Sequence, residues 1–514
     1  MNANTTNAAD PNTMSGTATA NAMTANAGDL PSRTLASLRA EAPSPLVVDD
    51  ARSRIRTANA AANSWVIVLD DDPTGSQSVQ GIPVLTRWSD EDLRWAFGQP
   101  ATGFFILTNT RGFNDDEARA TVSDVAEAIA RVAGDLGISY SLIARSDSTL
   151  RGHYPLETDA LVEIAEEAGA PYDALLLAPA YIAAGRMTAS DVHYVESDGV
   201  MVPVGQTNYA RDATFGFAAS DIRDYVQEKT GGEIDATSVV SIGLDDIRVG
   251  GPERVRDVIL SCSNAVPVIV NALEDADLDV VVLGLLLAEE AGSRVLCRTG
   301  PSFVAARLGI AGRAPLGHAE IFASGARTGR GLIVVGSHVD LTSLQVARLT
   351  RDLPDLETIV LDVPSLLDPS MSAAELERCA TAVTAALRRT DALLLSSRQQ
   401  ITGDTGHSSL VIAQTVSKAL VDLTKRAVDD VPLKWVLAKG GITSSDIATD
   451  GLEIRRATVV GQLFAGIVSV WLNEGDDQHG LTGLPYVVFA GNVGGETTLS
   501  EAVAILRGSE PIRQ

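Results

Sequence analysis

The chain has 514 residues, enough for two to four domains at about 150 residues each. Hydrophobic residues are 45% and charged residues 21%, the balance of an ordinary globular protein. With 40 basic against 66 acidic side chains the net charge is −26, a field that argues against nucleic acid and membrane surfaces as partners.

No apolar run reaches the roughly 18–20 residues of a membrane-spanning helix. Cys262, Cys297 and Cys379 lie far apart without zinc spacing, so no disulfide framework or structural zinc is expected, and a reducing cytoplasm fits. Residues 1–60 read as a disordered or weakly structured extension. Residues 1–28 are nearly all Asn, Ala, Thr, Ser and Gly, with almost nothing to bury. They lack the basic and apolar regions of a signal peptide. A weakly amphipathic stretch around Leu35 and Leu38 suggests a docking helix. The five acidic and five basic side chains of residues 1–60 cancel, so the negative charge belongs to the folded body.

From residue 64, short apolar runs alternate with helix-period stretches. The pattern predicts strands at 65–69, 104–108, 140–144, 174–178, 239–243 and 266–270, with helices at 115–136, 156–168 and 252–261 among them. A second series has strands at 332–335, 358–361, 392–395, 435–438 and 487–489, with helices at 341–353, 372–388 and 410–428. The fold class expected is α/β, in two domains, each a mostly parallel sheet flanked by helices. The Gly- and Ala-rich stretch 305–330 reads as a linker between a domain at 61–304 and one at 331–514.

Ligands of open α/β sheets bind at the carboxyl ends of strands. The first strand ends in Asp70, Asp71 and Asp72, followed by Pro73-Thr74-Gly75. Three adjacent carboxylates are tolerable only beside cations, a metal or hydrogen-bond donors. An acidic turn capping a helix accounts for one of them, not three. The second strand runs into Arg111, and the third into Arg145-Ser146-Asp147-Ser148-Thr149-Leu150-Arg151-Gly152-His153. Arginine forks suit a carboxylate, while Asp and hydroxyls suit sugar OH groups. Arg186 is a further anion contact after the fourth strand, and His153 has a minor part. These ends suit a small polyol carrying a carboxylate.

In the second half, Gly336-Ser337 precedes a helix, where backbone N–H groups face an anion. Lys439-Gly440-Gly441-Ile442-Thr443-Ser444 and Gly491-Asn492-Val493-Gly494-Gly495 each follow a strand and precede a helical pattern. Together they suggest a nucleotide phosphate site, although none matches the Walker or GxGxxG fingerprint. The chain has only five lysines, which singles out Lys439 beside the paired glycines. Glycines that merely shape tight turns are the competing explanation.

Residues 66–74 also fit the first motif of haloacid-dehalogenase phosphatases, with Asp70 as nucleophile, Asp72 as acid/base and Mg²⁺ between them. That reading leaves 145–153 and the second half unexplained. A non-catalytic sensor of a sugar acid and a nucleotide ranks third.

Seven motifs occur in order: the DDxTG start at 71–75, the loop 145–153, PAxxxxGRxT at 179–188, GSxxxxTxxQ at 336–345, KGGITS at 439–444, GQxxAG at 461–466 and GNVGG at 491–495. This ordered set resembles the four-carbon acid sugar kinases, which include 3-oxo-tetronate, D-threonate and D-erythronate kinases. The resemblance covers about residues 64–508. It implies ATP-dependent phosphorylation of a sugar acid at its terminal hydroxyl, with the sugar acid on the first domain and ATP, with Mg²⁺, on the second. It assigns Asp71, Asp72, Arg145, Asp147 and Arg151 to the sugar acid, and Ser337, Gly440, Gly441, Ile442, Thr443 and Gly491 to the nucleotide. Asp71 or Asp72 would be the base. Expected partners are the two small molecules, with a homodimer left open. The chain departs from the usual DDFTGA pattern at Pro73 and Ser76, and Ser78 stands where an Asp is usual. Residues 201–217 also look like an insert. Both departures bear on which sugar acid is used.

Overall fold

The computed structural model describes residues 30–509, apart from 313, 324, 326, 398–405, 465 and 476–479. The expected disorder of residues 1–28 therefore lies outside the described residues. The first domain's strands are β1 (Ser64–Asp70), β2 (Ile82–Leu85), β3 (Gly103–Leu107), β4 (Ser139–Arg145), β5 (Ala174–Ala178), β6 (Arg186–Ala189), β7 (Val192–Ser197), β8 (Val200–Pro203), β9 (Val240–Ile242), β10 (Val266–Val270) and β11 (Val295–Thr299). The second domain's are β12 (Arg330–Val335), β13 (Glu357–Leu361), β14 (Ala392–Ser396), β15 (Leu433–Lys439), β16 (Arg456–Phe464), β17 (Val468–Asn473) and β18 (Pro485–Phe489).

β1, β3, β5 and β10 are apolar runs buried on both faces, and β5 and β10 have the expected limits. Helices cover them, as in Asp115–Leu136, which starts on a reciprocal Asn114–Glu117 capping box and ends at Gly137 in the left-handed region. Its buried face repeats through Val122, Val125, Ile129 and Val132. In the first domain β2, β3, β1, β4, β11, β5, β10 and β9 pair in parallel in that order. In the second, β13, β14, β12, β15 and β18 are parallel, and β17 and β16 extend the edge antiparallel.

Each domain has the mostly parallel sheet expected, and the two join edge to edge: β16 pairs antiparallel with β2, Leu85 opposite Arg456 and Ile82 opposite Val459, so that a 15-stranded sheet runs through both domains. Side chains lock this seam. Asp92, fully buried, accepts hydrogen bonds from Arg455 Nη2 at 2.8 Å and Arg456 Nε at 2.7 Å. Trp471 Nε1 donates to Ser76 Oγ at 2.9 Å.

The docking helix expected around Leu35 and Leu38 is present, and from residue 30 onward the extension is more ordered than its composition suggests. Helices Leu35–Glu41 and Ala51–Ala61 pack on the first domain. Leu38 joins Met201 and Leu273, Ile55 is fully buried, and Asn59 Nδ2 donates to the Arg307 carbonyl at 3.0 Å. Buried Leu38 and Ile55 and a few polar anchors tie the segment to the body, which composition does not register. The stretch 305–330 is not a free linker. Helix Pro301–Arg307 closes the first domain, while Leu316 and Ile321 enter the second domain's core and the Leu316 N–H reaches the Gln462 carbonyl at 2.7 Å.

Removing the buried acceptor of the seam tests its strength. Asp92→Ala removes the buried acceptor of both arginines, of which Arg455 is half exposed and Arg456 keeps Glu91 at 2.7 Å, and should cost about 1–3 kcal/mol. Calorimetry should show a transition lowered by several degrees and split as the domains uncouple. An unchanged single transition would mean that the seam contributes little.

Candidate active site

The carboxyl ends of β1 and β4 lie side by side, with Asp70 in register with Arg145. Registered neighbours in a parallel sheet project to the same face. Arg145 Nη1 accordingly donates to Asp70 Oδ1 at 2.8 Å, to Asp71 Oδ1 at 3.3 Å and to the Asp72 carbonyl at 3.1 Å. Arg111 places its fork on Asp71, Nε to Oδ2 at 3.1 Å and Nη2 to Oδ1 at 2.5 Å. Asp72 Oδ1 accepts from the Thr74 N–H at 2.9 Å and from its hydroxyl at 2.5 Å. Two arginines and a cap thus explain how three consecutive carboxylates share one turn.

The three are not equivalent. Burial pushes Asp70 up to about 7 against the pull of Arg145. Asp72 is also desolvated, but Arg111, Arg145 and the Thr74 bonds hold it below the usual carboxylate range. Asp147 is held low in the same way by Arg111 and Arg151, against burial. Asp70 is 2% exposed and a Cβ on Gly75 would touch its carboxylate, so it is enclosed rather than presented as a nucleophile. This disfavours the phosphatase reading.

Arg151 Nε donates to Asp147 Oδ2 at 2.7 Å, and its Nη1 lies 3.5 Å from Asp212. It stacks over the Tyr209 ring at 5.1 Å. Asp212 and Tyr209 belong to the insert 201–217, which therefore walls the Arg151 side of the site. Arg186 sits on the same wall, donating to the Ala184 carbonyl at 2.6 Å and to Tyr209 Oη at 3.4 Å. His153 is set back: its ring bridges Asp115 and the Thr110 carbonyl at 2.9 Å each and packs edge-on against Phe215.

Sequence reasoning missed two charged groups behind this loop. Arg298, on β11, donates to Ser146 Oγ at 2.9 Å and to the Arg151 carbonyl at 3.3 Å. Its only signal is an arginine inside the apolar run VLCRT. Glu157, buried, accepts from Thr110 Oγ1 and is pushed up to about 7 by burial and by the Asp71 charge. It is hidden among the polar positions of helix Leu156–Glu167.

In the second domain the three glycine turns meet at Ser337. A Cβ on Gly491 would lie 2.5 Å from Ser337 Oγ, one on Gly440 3.3 Å from Ser337 Cβ, and one on Gly336 2.2 Å from Thr443 Oγ1. Gly440 has φ +126°, a conformation that side chains rarely adopt. Helix Gly441–Asp446 begins there, and Ile442 on its first turn is exposed. Asn492 and Gly494, which follow Gly491, are exposed. Lys439 differs from expectation. Its fully buried ammonium donates to the Ala490 carbonyl at 2.8 Å and, more weakly, to that of Gly491 at 3.5 Å. It lies 3.8 Å from the Phe489 ring centroid, and burial pushes it down to about 7. It supports the Gly491 turn from beneath instead of facing the cleft.

The two halves touch. A Cβ on Gly441 would lie 2.9 Å from Asp72 Oδ2, and Asn109 Nδ2 donates to Ser445 Oγ. The Asp turn of the first domain therefore faces the glycine cradle of the second. Among the described residues no group of three His, Cys, Asp or Glu side chains is placed to hold a metal, and no helix is long and apolar enough to cross a membrane.

Comparison with known proteins agrees with this division. Residues 66–307 match the family described as "Sugar-binding N-terminal domain" and residues 332–499 the one described as "Nucleotide-binding C-terminal domain". A 3-oxo-isoapionate kinase of Paraburkholderia graminis is 30% identical over 152 residues, 27% of this chain and 31% of the relative, so the match spans about a third of that protein. A solved structure from Salmonella typhimurium LT2 superposes with TM-score 0.61 at 17% identity, covering 86% of this chain and 98% of its own. A Haemophilus influenzae protein of the DUF1537 family gives TM-score 0.56 at 16% identity, covering 86% and 100%. These two share the fold. With both domains matched in order over the Asp turn and the glycine cradles, the chain belongs to the four-carbon acid sugar kinase family.

Proposed function

We propose that the protein transfers the γ-phosphoryl group of ATP to the terminal hydroxyl of a four-carbon sugar acid. The observation that carries this is the contact of the Asp72 carboxylate with Gly441, which sets a carboxylate at the mouth of a phosphate cradle. In-line transfer needs a hydroxyl, a γ-phosphate and a proton acceptor in one place, with water excluded.

The parts divide as follows. N–H groups at Gly441, Ile442 and Thr443, with the Gly491 turn, would receive the phosphates alongside Ser337. Mg²⁺ carried on ATP would supply charge neutralisation when bound. Arg111, Arg145, Asp147, Arg151 and Arg186 line the sugar-acid side. Arg145 and Arg111 also hold Asp70 and Asp71 in place, which leaves Arg151 and Arg186 on the insert wall as the arginines nearest a substrate carboxylate. Of the two candidate bases, Asp71 is clamped by the Arg111 fork while Asp72 faces the cradle. Asp72 is therefore our choice to accept the hydroxyl proton as the O–P bond forms and the bond to the β-phosphate oxygen breaks.

Purified protein tested with ATP and Mg²⁺ against 3-oxo-tetronate, D-threonate, D-erythronate and 3-oxo-isoapionate should release ADP with at least one of them. Binding of a sugar acid without ADP release would favour a sensor. Nucleotide-independent hydrolysis of a phosphorylated acid would favour a phosphatase.

Glu157 gives a second test. Its folded-state pKa of about 7 lies above its ordinary 4.5, so the folded chain binds more protons between those values. Its stabilisation is complete below about pH 4.5 and is lost as pH rises through 7. Glu157→Gln keeps an acceptor for Thr110 but carries no charge. It should be more stable than the parent at pH 8, by roughly 1–3 kcal/mol in urea unfolding, with the difference vanishing below about pH 4.5. A difference independent of pH would show that Glu157 is not buried beside Asp71 in solution.

A further inference from the structure

The GSxxxxTxxQ motif contains two residues, Thr342 and Gln345, that neither the sugar acid nor the nucleotide reading employs. We infer that Thr342, Gln345 and Lys439 are positioning residues that hold the 491–495 loop with its N–H groups turned to the nucleotide phosphates. The inference rests on the nucleotide-binding reading of the second domain.

All three side chains are fully buried beneath the loop. Thr342 and Gln345 stand one turn apart on helix Asp340–Asp352, and Lys439 ends β15. Each donates to loop carbonyls. Lys439 Nζ reaches Ala490 O at 2.8 Å, Thr342 Oγ1 reaches Gly491 O at 2.9 Å, and Gln345 Nε2 reaches Val493 O at 3.1 Å and Gly495 O at 2.8 Å.

In a planar trans peptide the C=O of one residue and the N–H of the next point in opposite directions. Drawing the carbonyls of Ala490, Gly491 and Val493 inward therefore turns the N–H groups of Gly491, Asn492 and Gly494 outward. Those three N–H groups meet no acceptor among the described residues, whereas the Gly495 N–H is capped by Thr498 Oγ1 at 2.8 Å. Successive outward N–H groups make a concave anion site. Glycine at 491 and 494 lets the chain make this turn, Gly494 at φ +82°. The same geometry accounts for a buried lysine that pairs with no carboxylate among the described residues: its role is to bind two carbonyls.

Calorimetric titration of the full chain with ADP and with adenosine separates the possibilities. If the three residues act through the loop, Lys439→Met and Gln345→Leu both raise the ADP dissociation constant at least tenfold. Adenosine binding, which uses no phosphate contact, stays within twofold, and so does the KM for the sugar acid. Thr342→Val keeps the side-chain shape and should weaken ADP in the same direction, so it decides the matter if Gln345→Leu does not fold. Loss of ADP binding in Lys439→Met alone would overturn the inference in favour of direct contact between the ammonium and phosphate. Equal losses for ADP and adenosine would reduce all three to general packing. Parent-like ADP binding in folded Gln345→Leu and Thr342→Val would also overturn it. Failure of the parent chain to bind ADP at all would instead remove the nucleotide reading itself.

Discussion

The antiparallel pairing of β2 with β16 fixes the relation between the two halves of the molecule. Parallel sheets collect their ligands at the carboxyl ends of strands, so two such sheets offer two sites with no necessary connection. Once their edges are zipped, with Asp92 holding Arg455 and Arg456 across the join, the turn after β1 is carried onto the turn after β15. The short helix that follows Asp72 is wedged there, its Ser76 hydroxyl bonded to Trp471 on β17. A reaction between two substrates becomes a matter of where two loops sit, and the seam decides that.

Electrostatics shape the cleft as strongly as topology does. A chain with net charge −26 must bind anionic ligands with local donors. Arg111 and Arg145 are largely committed to Asp70 and Asp71, and Lys439 lies under the Gly491 turn. On the proposed reading, backbone N–H groups are thus left as the main phosphate donors of the second domain. This agrees with a sequence that holds five lysines yet places glycine at every turn converging on Ser337. In the first domain the insert contributes Asp212 and Tyr209 to the environment of Arg151, so the segment that departs most from a minimal chain also borders the wall proposed to hold the acid.

Most of the central strands were legible because buried parallel strands are continuous apolar runs; β5 and β10 are examples. β2 was not, being four residues with a proline at position 83, and neither were β16 and β17 at the sheet's antiparallel join. β16 alternates buried and half-buried positions, a period that a search for fully apolar runs passes over. β2 and β16 make the join between the domains, so the join itself was not anticipated. At the site, the Asp turn, the 145–153 loop and the glycine turns could be found because unusual residues follow strands. What sequence could not supply was direction. Lys439 beside two glycines suggests a phosphate ligand, but β15 ends with that side chain pointing to the Phe489 face. Arg298 and Glu157 were passed over because one lies in an unassigned strand, where a lone arginine in VLCRT is a weak sign, and the other in an ordinary amphipathic helix.

The claim on which the rest depends is that both substrates meet between the Asp turn and the Gly440–Gly441 cradle. A crystal structure of the full chain with Mg²⁺ and a non-hydrolysable ATP analogue tests it most directly. The account predicts the terminal phosphate on the N–H groups of Gly441, Ile442 and Thr443, with Asp72 at its edge. A nucleotide seated elsewhere contradicts it, as in the cavity of about 400 Å³ at the opposite strand ends, lined by Arg56, Gln80, Thr102 and Ile310.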